Sequence, residues 1–398
     1  MKLKVTSIKL TMLNIVLIIN VIVGKVFFNE SSAVSSTMNS SLAAYVIAGV
    51  FLLTFGGVFL VTKKTKIVKD SLVIIGLFYY LWMLIWSWDS NIFFMSAYYG
   101  VSGVLMIYFC MCYIEYNKCF DNETQLKNVI NLMLLVFLSY FVGGIYFEII
   151  YRGKSLMDGI PLGFGAVLYY FVVFYTTKSS IDKSKLIYIP VIILAVLIGL
   201  YFKSLSAFMA YFVCLIMYLF FKRKYLLLSF GIGLAIVLMA LMYNFLMENE
   251  GTDTVLLGKS VNAIITGSGR FQVYAAAWDV LKNYDLLTLV KGVGFMTERT
   301  VLARYDLAWS TDVHNSFLLS IVTGGVVAAI LYFLFVLSPL FVGTYTSKDA
   351  KSLFISFHFM CVFFGLSSSY YLGRPSYLLI LSILLYSAVT SRREKCSL

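Results

Sequence analysis

Two residues in a polar stretch of an otherwise apolar chain have side chains suited to proton transfer and anion binding. His314 is one of only two histidines and lies where the polar stretch gives way to an apolar run. Arg270 ends the segment Gly-Ser-Gly-Arg at 267–270. An imidazole can take a proton from a hydroxyl near neutral pH, and a guanidinium pairs with phosphate. This pair suggests displacement of a phosphate leaving group by a hydroxyl, with a base beside an anion clamp.

The position of His314 predicts a neutral imidazole. Thr311 or Asp312 can cap a helix that begins here, which places His314 in the first turn. The positive end of the helix dipole disfavours a protonated imidazole, and nearby arginines act in the same direction. The alternative is that His314 anchors the helix at a membrane surface or pairs with its cap. His358, within a later apolar run, has neither feature, and we predict that it is packed and hydrogen-bonded.

The residues that follow Arg270 predict an amphipathic helix lying on the membrane or on a helix bundle. Its apolar face is defined by helical spacing of four residues: Phe271, Tyr274, Ala275 and Trp278. Gly269 and Arg270 are then in the first turn, where free backbone N–H groups and a guanidinium suit a phosphate. An interfacial arginine beside aromatic residues is an equally weighted alternative.

The remainder of the polar stretch is interpreted as connecting structure. The segment Lys-Gly-Val-Gly at 291–294 predicts a turn. Four charged residues beyond it predict a solvated stretch whose members pair with one another: Glu298, Arg299, Arg304 and Asp306.

Composition indicates the elements that must position these residues. With 61% hydrophobic residues, 13% charged residues and a mean hydropathy of +0.90, the chain is typical of an all-α, polytopic integral membrane protein. We predict one transmembrane domain over 1–398, because apolar runs long enough to cross a bilayer recur throughout. The twelve predicted spans are 10–28, 42–62, 71–88, 91–114, 128–150, 160–177, 186–202, 205–221, 225–247, 313–343, 352–368 and 375–390.

Charge distribution predicts the sidedness of these spans. With a cytoplasmic N-terminus, the cytoplasmic segments hold twenty of the 31 Lys and Arg residues and seven of the 19 acidic residues, a net charge of +13. The other side holds eleven basic and twelve acidic residues, a net charge of −1. Both termini are therefore predicted to be cytoplasmic, and the large loop 248–312 to be periplasmic or external. The basic balance is a topology signal, and nucleic acid is not an expected partner.

Absent features narrow the chemistry further. The sequence has no Walker-type phosphate loop, no HExxH motif, no paired-cysteine zinc spacing and no DxD pair, so no metal and no cofactor are predicted. Ionisable residues within the spans are scarce, whereas ion-coupled transporters usually carry them near the membrane midplane. The polar residues instead indicate a reaction or binding event at the outer membrane surface.

The order of the motifs resembles the bacterial O-antigen polymerase and ligase superfamily. The series runs from the Arg270 segment and Trp278 through Gly-Val-Gly at 292–294 to His-Asn at 314–315 and Gly-Gly at 324–325. Lys203, followed by small residues, and Gly-Arg at 373–374 resemble two further positions. The resemblance implies a membrane glycosyltransferase similar to the GT-C class, with about a dozen spans and the main periplasmic loop before the tenth.

Within this resemblance the polymerase is favoured over the ligase. The ligases tend to have a further small or hydroxyl residue three positions past the glycine pair, whereas Gly325 is followed by Val-Val-Ala. Lys203 replaces the usual arginine, which keeps the charge but loses the bidentate fork. Arg152, eleven residues before Gly163, matches an arginine–glycine spacing of some polymerase loops.

The resemblance implies a function and a set of site residues. A polymerase would join undecaprenyl-diphosphate-linked repeat units of O-antigen or capsular polysaccharide at the periplasmic face of the bacterial inner membrane. His314 and Arg270 would be catalytic, with the diphosphate held by Arg374, Lys203 and Arg152. Membrane lipids and a chain-length regulator are the further expected partners. An O-antigen ligase acting on lipid A core is the alternative enzyme, and a flippase or exporter of lipid-linked oligosaccharides is the alternative from another class.

Overall fold

The structure is a computed structural model that describes most of the chain as a bundle of helices. The described residues are 2–27, 49, 51–58, 70–90, 92–150, 205–251, 254–256, 259–265, 269–305, 313–341, 344–367 and 371–390. Within them, the only strands are two of two residues each that pair antiparallel, with Val255 opposite Ser260. The all-α prediction is therefore confirmed apart from this small ladder.

Long helices form the bundle on both sides of the predicted loop. Before the loop they are α1 (Lys2–Phe27), α2 (51–58), α3 (Ser71–Trp86), α4 (Phe93–Asn117), α5 (Asn122–Ile150), α6 (Leu205–Phe221) and α7 (Tyr225–Glu248). After it they are α12 (Ser316–Phe341), α13 (Lys348–Leu366) and α14 (Tyr377–Thr390). Long runs of leucine, isoleucine and aromatic residues favour these helices in an apolar setting, because every backbone group is then paired within its own segment.

The loop between α7 and α12 contains short elements. They are β1 (Val255–Leu256), β2 (Lys259–Ser260), α8 (Val261–Ile265), α9 (Arg270–Lys282), α10 (Leu286–Lys291) and α11 (Glu298–Leu302). A small apolar core holds α9 and α11 against the start of α12 and includes Val273, Ala277, Leu302 and Val322. The loop is thus packed onto the bundle.

Five described helical segments are long and apolar enough to cross a membrane. They are Val5–Ile22, Ser71–Asp89, Phe93–Asn117, Ser316–Phe341 and Lys348–Leu366. Met209–Phe221 and Tyr377–Thr390 are shorter apolar helices. Two predicted spans, 160–177 and 186–202, lie outside the described residues, and 42–62 is described only at 49 and 51–58. The helical membrane character is confirmed, while the count of twelve spans stays a prediction.

Helix α14 lies at the centre of the bundle. It packs against α3, α4, α5 and α13. Its side chains are buried from Leu378 through Val389. Burial on all sides is typical of an interior helix.

The two ends of the bundle differ in what they carry. One end, called the loop end here, holds α8 to α11, the segment 313–315 and the turn 371–376. At the opposite end Lys222 forms an ion pair with Asp349, and the N–H of Thr346 donates to the carbonyl of Val389 at 2.9 Å. The residues predicted to do chemistry and described by the structure therefore belong to the loop end.

A break in α12 attaches the loop to the bundle. Gly325 has φ 67° inside α12, and a Cβ there would lie 2.2 Å from the carbonyl oxygen of Val290. A Cβ on Gly292 would likewise lie 2.2 Å from the carbonyl oxygen of Thr323, which also accepts a hydrogen bond from the N–H of Gly294 at 2.9 Å. The predicted turn at 291–294 is confirmed, and its glycines allow two backbones to meet.

Candidate functional site

His314 lies directly before α12 and not within it. The helix begins at Ser316, and the side chain of Asn315 caps it by accepting from the N–H groups of Phe317 and Leu318, each at 3.0 Å. The prediction that His314 occupies the first turn is therefore wrong, because the capping oxygen belongs to the residue that follows it. His314 itself is buried, with φ 47°. The predicted caps at 311 and 312 lie outside the described residues.

The helix predicted after the Gly-Ser-Gly segment is confirmed. α9 begins at Arg270, and Gly269 is its N-cap with φ 77°. Gly269 therefore lies just outside the first turn, in a left-handed conformation that glycine adopts without steric cost. Because glycine has no side-chain oxygen, it offers no cap to the N–H groups of the first turn. The start of α9 therefore keeps the two features that suit an anion, which are N–H groups without a side-chain cap and the guanidinium of Arg270.

The face of α9 that packs on the bundle differs from the predicted one. Phe271 and Trp278, which define the predicted apolar face, are exposed. The buried residues are Val273, Ala276, Ala277, Val280 and Leu281. Small alanines let the helix approach α11 and α12 closely, which explains why this narrower face is the one that packs. The exposed aromatic residues leave a second apolar face on the outside of the helix.

Tyr274 connects the helix of Arg270 to His314. Its hydroxyl lies 3.3 Å from the backbone carbonyl oxygen of His314 and 3.3 Å from that of Leu366, at the end of α13. The side chain of Asn315 donates to the same Leu366 oxygen at 3.2 Å. Arg270 is one helical turn before Tyr274, so the two share a face with Cβ atoms roughly 5–6 Å apart. Tyr274 thus links the helix that begins at Arg270 to the backbone of His314 at the loop end.

The guanidinium of Arg270 is partly buried and, among the described residues, has no acidic side chain paired with it. Within the described ranges its Nε is shielded from solvent and has no hydrogen-bond partner. The same ranges contain no ion pair to Arg270. A partly dehydrated cation without a counter-charge attracts an anion more strongly than a solvated one does. Arg270 is therefore the described arginine best placed to bind a phosphate.

Arg374 reaches the same end of the bundle from the start of α14. A Cβ on Gly373 would lie 2.9 Å from the Cα of Ser316, so the two backbones are in close contact. This contact places Arg374 beside the segment that holds His314. Three stretches far apart in sequence, at 270–274, 313–316 and 373–374, therefore meet at the loop end.

The charge of Arg374 is balanced by Glu298. Its Nη2 donates to Oε1 of Glu298 at 2.8 Å, and the two side chains are 7% and 0% exposed. The prediction that Glu298 belongs to a solvated stretch is therefore wrong. Glu298 begins α11, whose packing against α9 and α12 removes the carboxylate from water. Its partner lies 76 positions away, so no local pattern could have revealed the pair.

Strained backbone conformations concentrate around these residues. Three non-glycine residues at the loop end have positive φ: Met296 at 64°, His314 at 47° and Tyr371 at 104°. All three are buried. Such conformations cost roughly 1–3 kcal/mol each and persist where surrounding structure enforces them, often at functional sites. The packing of the loop end thus holds these three residues in strained backbone conformations and fixes its geometry.

The second histidine is packed as predicted. His358 is fully buried in α13, and its Nε2 lies 3.0 Å from the carbonyl oxygen of Val336. Its Nδ1 lies 2.8 Å from the hydroxyl of Tyr371. Since the carbonyl can only accept, Nε2 carries the proton and Nδ1 accepts from Tyr371.

Two predicted diphosphate-binding residues, Lys203 and Arg152, lie outside the described residues. In the parts of the chain that are described, no three His, Cys, Asp or Glu side chains gather where they could hold a metal ion. No protein-family model matches this chain, and no curated protein matches it.

Proposed function

We propose that the protein is a polymerase of lipid-linked polysaccharide repeat units. The donor is a growing O-antigen or capsular glycan on undecaprenyl diphosphate, and the acceptor is a single lipid-linked repeat unit. The proposal includes twelve spans in the bacterial inner membrane, both termini in the cytoplasm and the 248–312 loop in the periplasm. Positive charge on alternate loops supports this orientation.

The meeting of three distant segments supports the proposal most. A reaction of this kind needs a base for the acceptor hydroxyl and a cation for the departing diphosphate, side by side at the membrane surface. Tyr274 joins the helix of Arg270 to His314, and Gly373 packs against Ser316. These are the segments on which the resemblance to the polymerase and ligase superfamily rests.

The proposed chemistry is a direct displacement. His314 takes the proton of the acceptor hydroxyl as its oxygen forms a bond to the anomeric carbon of the donor. The bond from that carbon to the diphosphate oxygen breaks, and undecaprenyl diphosphate leaves with the electron pair. Attack opposite the leaving group inverts the anomeric centre. Arg270 neutralises the developing charge, so the reaction needs no metal.

The proposed diphosphate site has two kinds of cation. Arg270 carries a charge that no described acid balances, whereas Arg374 shares its charge with Glu298. Arg270 therefore supplies most of the attraction, and Arg374 supplies a hydrogen-bond donor in a fixed place. Lys203 and Arg152 complete the proposed set.

The glycan banding pattern of a deletion strain tests the function. Loss of a polymerase leaves a single repeat unit on the final acceptor. Loss of a ligase leaves bare lipid A core, and loss of a flippase leaves no exported unit. A single repeat unit is the expected result, and either of the other patterns would replace the polymerase by the corresponding alternative.

Substitution of His314 tests the mechanism. Because His314 has a positive φ, His314→Asn removes the imidazole while keeping a residue that tolerates this conformation. Loss of general-base assistance should lower the rate on the order of 10²–10⁴-fold and collapse the ladder to one repeat. Arg304→Ala, an exposed change in the same loop, is the control. A normal ladder in His314→Asn would remove His314 from the mechanism.

A further inference from the structure

The turn at 371–376 is held in place by hydrogen bonds at Tyr371, Leu372 and Ser376. The hydroxyl of Tyr80, on α3, donates to the carbonyl of Leu372 at 2.9 Å. The hydroxyl of Ser376 donates to the carbonyl of Tyr371 at 3.2 Å and lies 3.3 Å from the Tyr371 N–H. All four residues are buried. A turn this short keeps one shape only if such contacts enforce it.

Among the described non-glycine residues, Tyr371 has the largest positive φ. Its φ of 104° lies in a region that favours glycine and that a bulky side chain rarely adopts. The hydroxyl explains how this conformation persists. It lies 2.8 Å from Nδ1 of His358 and 2.9 Å from Oγ of Ser382, so it is anchored to α13 and α14 at once. His358 is in turn fixed by the Val336 carbonyl at 3.0 Å.

The anchored residue stands three positions before Arg374. Between them, Gly373 rests on Ser316 with so little space that a Cβ would lie 2.9 Å from its Cα. The guanidinium of Arg374 then meets Glu298 at 2.8 Å. A rotation at Tyr371 would lift Gly373 from Ser316 and withdraw Arg374 from Glu298, because only two residues separate Tyr371 from Arg374.

We propose that Tyr371 is a positioning residue, whose hydroxyl, held by His358 and Ser382, fixes the turn that presents Arg374 to the diphosphate of a lipid-linked substrate. This rests on the proposed function for the identity of the ligand. His358 then serves the site from within the membrane-spanning part of the molecule. Tyr371 contacts no reacting atom and acts only through the place of Arg374.

The test is Tyr371→Phe, which removes the hydroxyl and keeps the ring that packs edge-on against Phe335. Tyr332→Phe is the matched control. Tyr332 is also buried in the bundle, and within the described ranges its hydroxyl has no hydrogen-bond partner. Both proteins are purified in lipid nanodiscs and assayed with undecaprenyl-diphosphate-linked repeat unit, with turnover counted per folded molecule.

Tyr371→Phe should lower turnover on the order of tenfold to a hundredfold, the usual effect of displacing a binding group by about 1 Å. Arg374→Ala should add little in the Tyr371→Phe background, because the misplaced arginine no longer contributes. Tyr332→Phe should match the wild type. Turnover in Tyr371→Phe equal to that of the wild type would overturn the proposal even if the variant melts at a lower temperature.

A second measurement needs no substrate. The unfolding midpoints of Tyr371→Phe, Glu298→Gln and the double variant form a cycle. Coupling between the two changes is expected, because Arg374 meets Glu298 only while the turn is held. Additive effects would overturn the positioning role, whatever the ligand is. If the two changes are coupled but the protein neither binds nor turns over the lipid-linked substrate, the positioning role is supported and the proposed function is refuted.

Discussion

The buried ion pair between Arg374 and Glu298 leads to the sharpest prediction about stability. Glu298→Gln keeps the shape of the side chain and removes its charge. At 2.8 Å, two unit charges attract by about 6 kcal/mol at an effective dielectric constant of about 20. Desolvation of both groups offsets much of this in the intact pair. Removal of one partner leaves the arginine buried with its charge uncompensated, so Glu298→Gln should cost roughly 3–5 kcal/mol.

The assay is unfolding of the purified protein by SDS in mixed micelles. The control is Asp279→Asn in α9, because Asp279 accepts from the hydroxyl of Tyr305 at 2.7 Å in an exposed position. Exposed contacts contribute little, so this control should lose less than about 1 kcal/mol. The double variant Glu298→Gln with Arg374→Gln should recover most of the loss, since it buries no unpaired charge. Equal, small losses in Glu298→Gln and Asp279→Asn would refute the reasoning.

Three further predictions concern other parts of the molecule. Arg270→Ala should abolish polymer while the protein still accumulates, and Arg270→Lys should restore only part of it because the guanidinium fork is lost; normal polymer from Arg270→Ala would return this residue to the interfacial-anchor interpretation. Burial raises the pKa of Asp70, the cap just before α3, from 3.8 to about 7. The Asp70 carboxyl therefore contributes fully to the free energy of unfolding below about pH 4, and this contribution is lost as the pH rises through about 7. Asp70→Asn, which keeps a capping oxygen, should therefore gain stability relative to the wild type by up to about 4 kcal/mol as pH rises to about 8, and equal pH profiles in thermal unfolding would contradict this. Gly325→Ala should destabilise the protein by more than about 3 kcal/mol, because the new Cβ would lie 2.2 Å from a carbonyl oxygen, whereas Gly231→Ala, with nothing described within 4 Å, should be neutral or stabilising.

Local features of the chain could be predicted from the sequence. The helix at 270 was predictable because glycine before a run of helical period marks a helix start, and the turn at 291–294 because paired glycines favour one. The packed state of His358 was predictable too, since a histidine among apolar residues needs partners. Each of these depends on residues close together in sequence.

The wrong predictions depend on distant partners or on competing patterns. α9 has apolar residues on two faces, and periodicity alone does not choose the one with Ala276 and Ala277 over the one with Phe271 and Trp278. The cap of α12 was placed too early because several polar residues precede the helix, and the sequence alone does not show that the Asn315 side chain caps it. Glu298 resembled a surface residue because its partner, Arg374, lies 76 positions further along the chain.

That late arrival has a consequence for biogenesis. The carboxylate of Glu298 is made well before Arg374, which directly precedes α14. Until then, the packing that buries α11 would enclose a charge with no counter-charge, which is strongly unfavourable. The loop should therefore remain loose in the nascent chain and close only after Arg374 has been made. A chain truncated before residue 374 would stay open at the loop end and be recognisable to membrane proteases as unfinished.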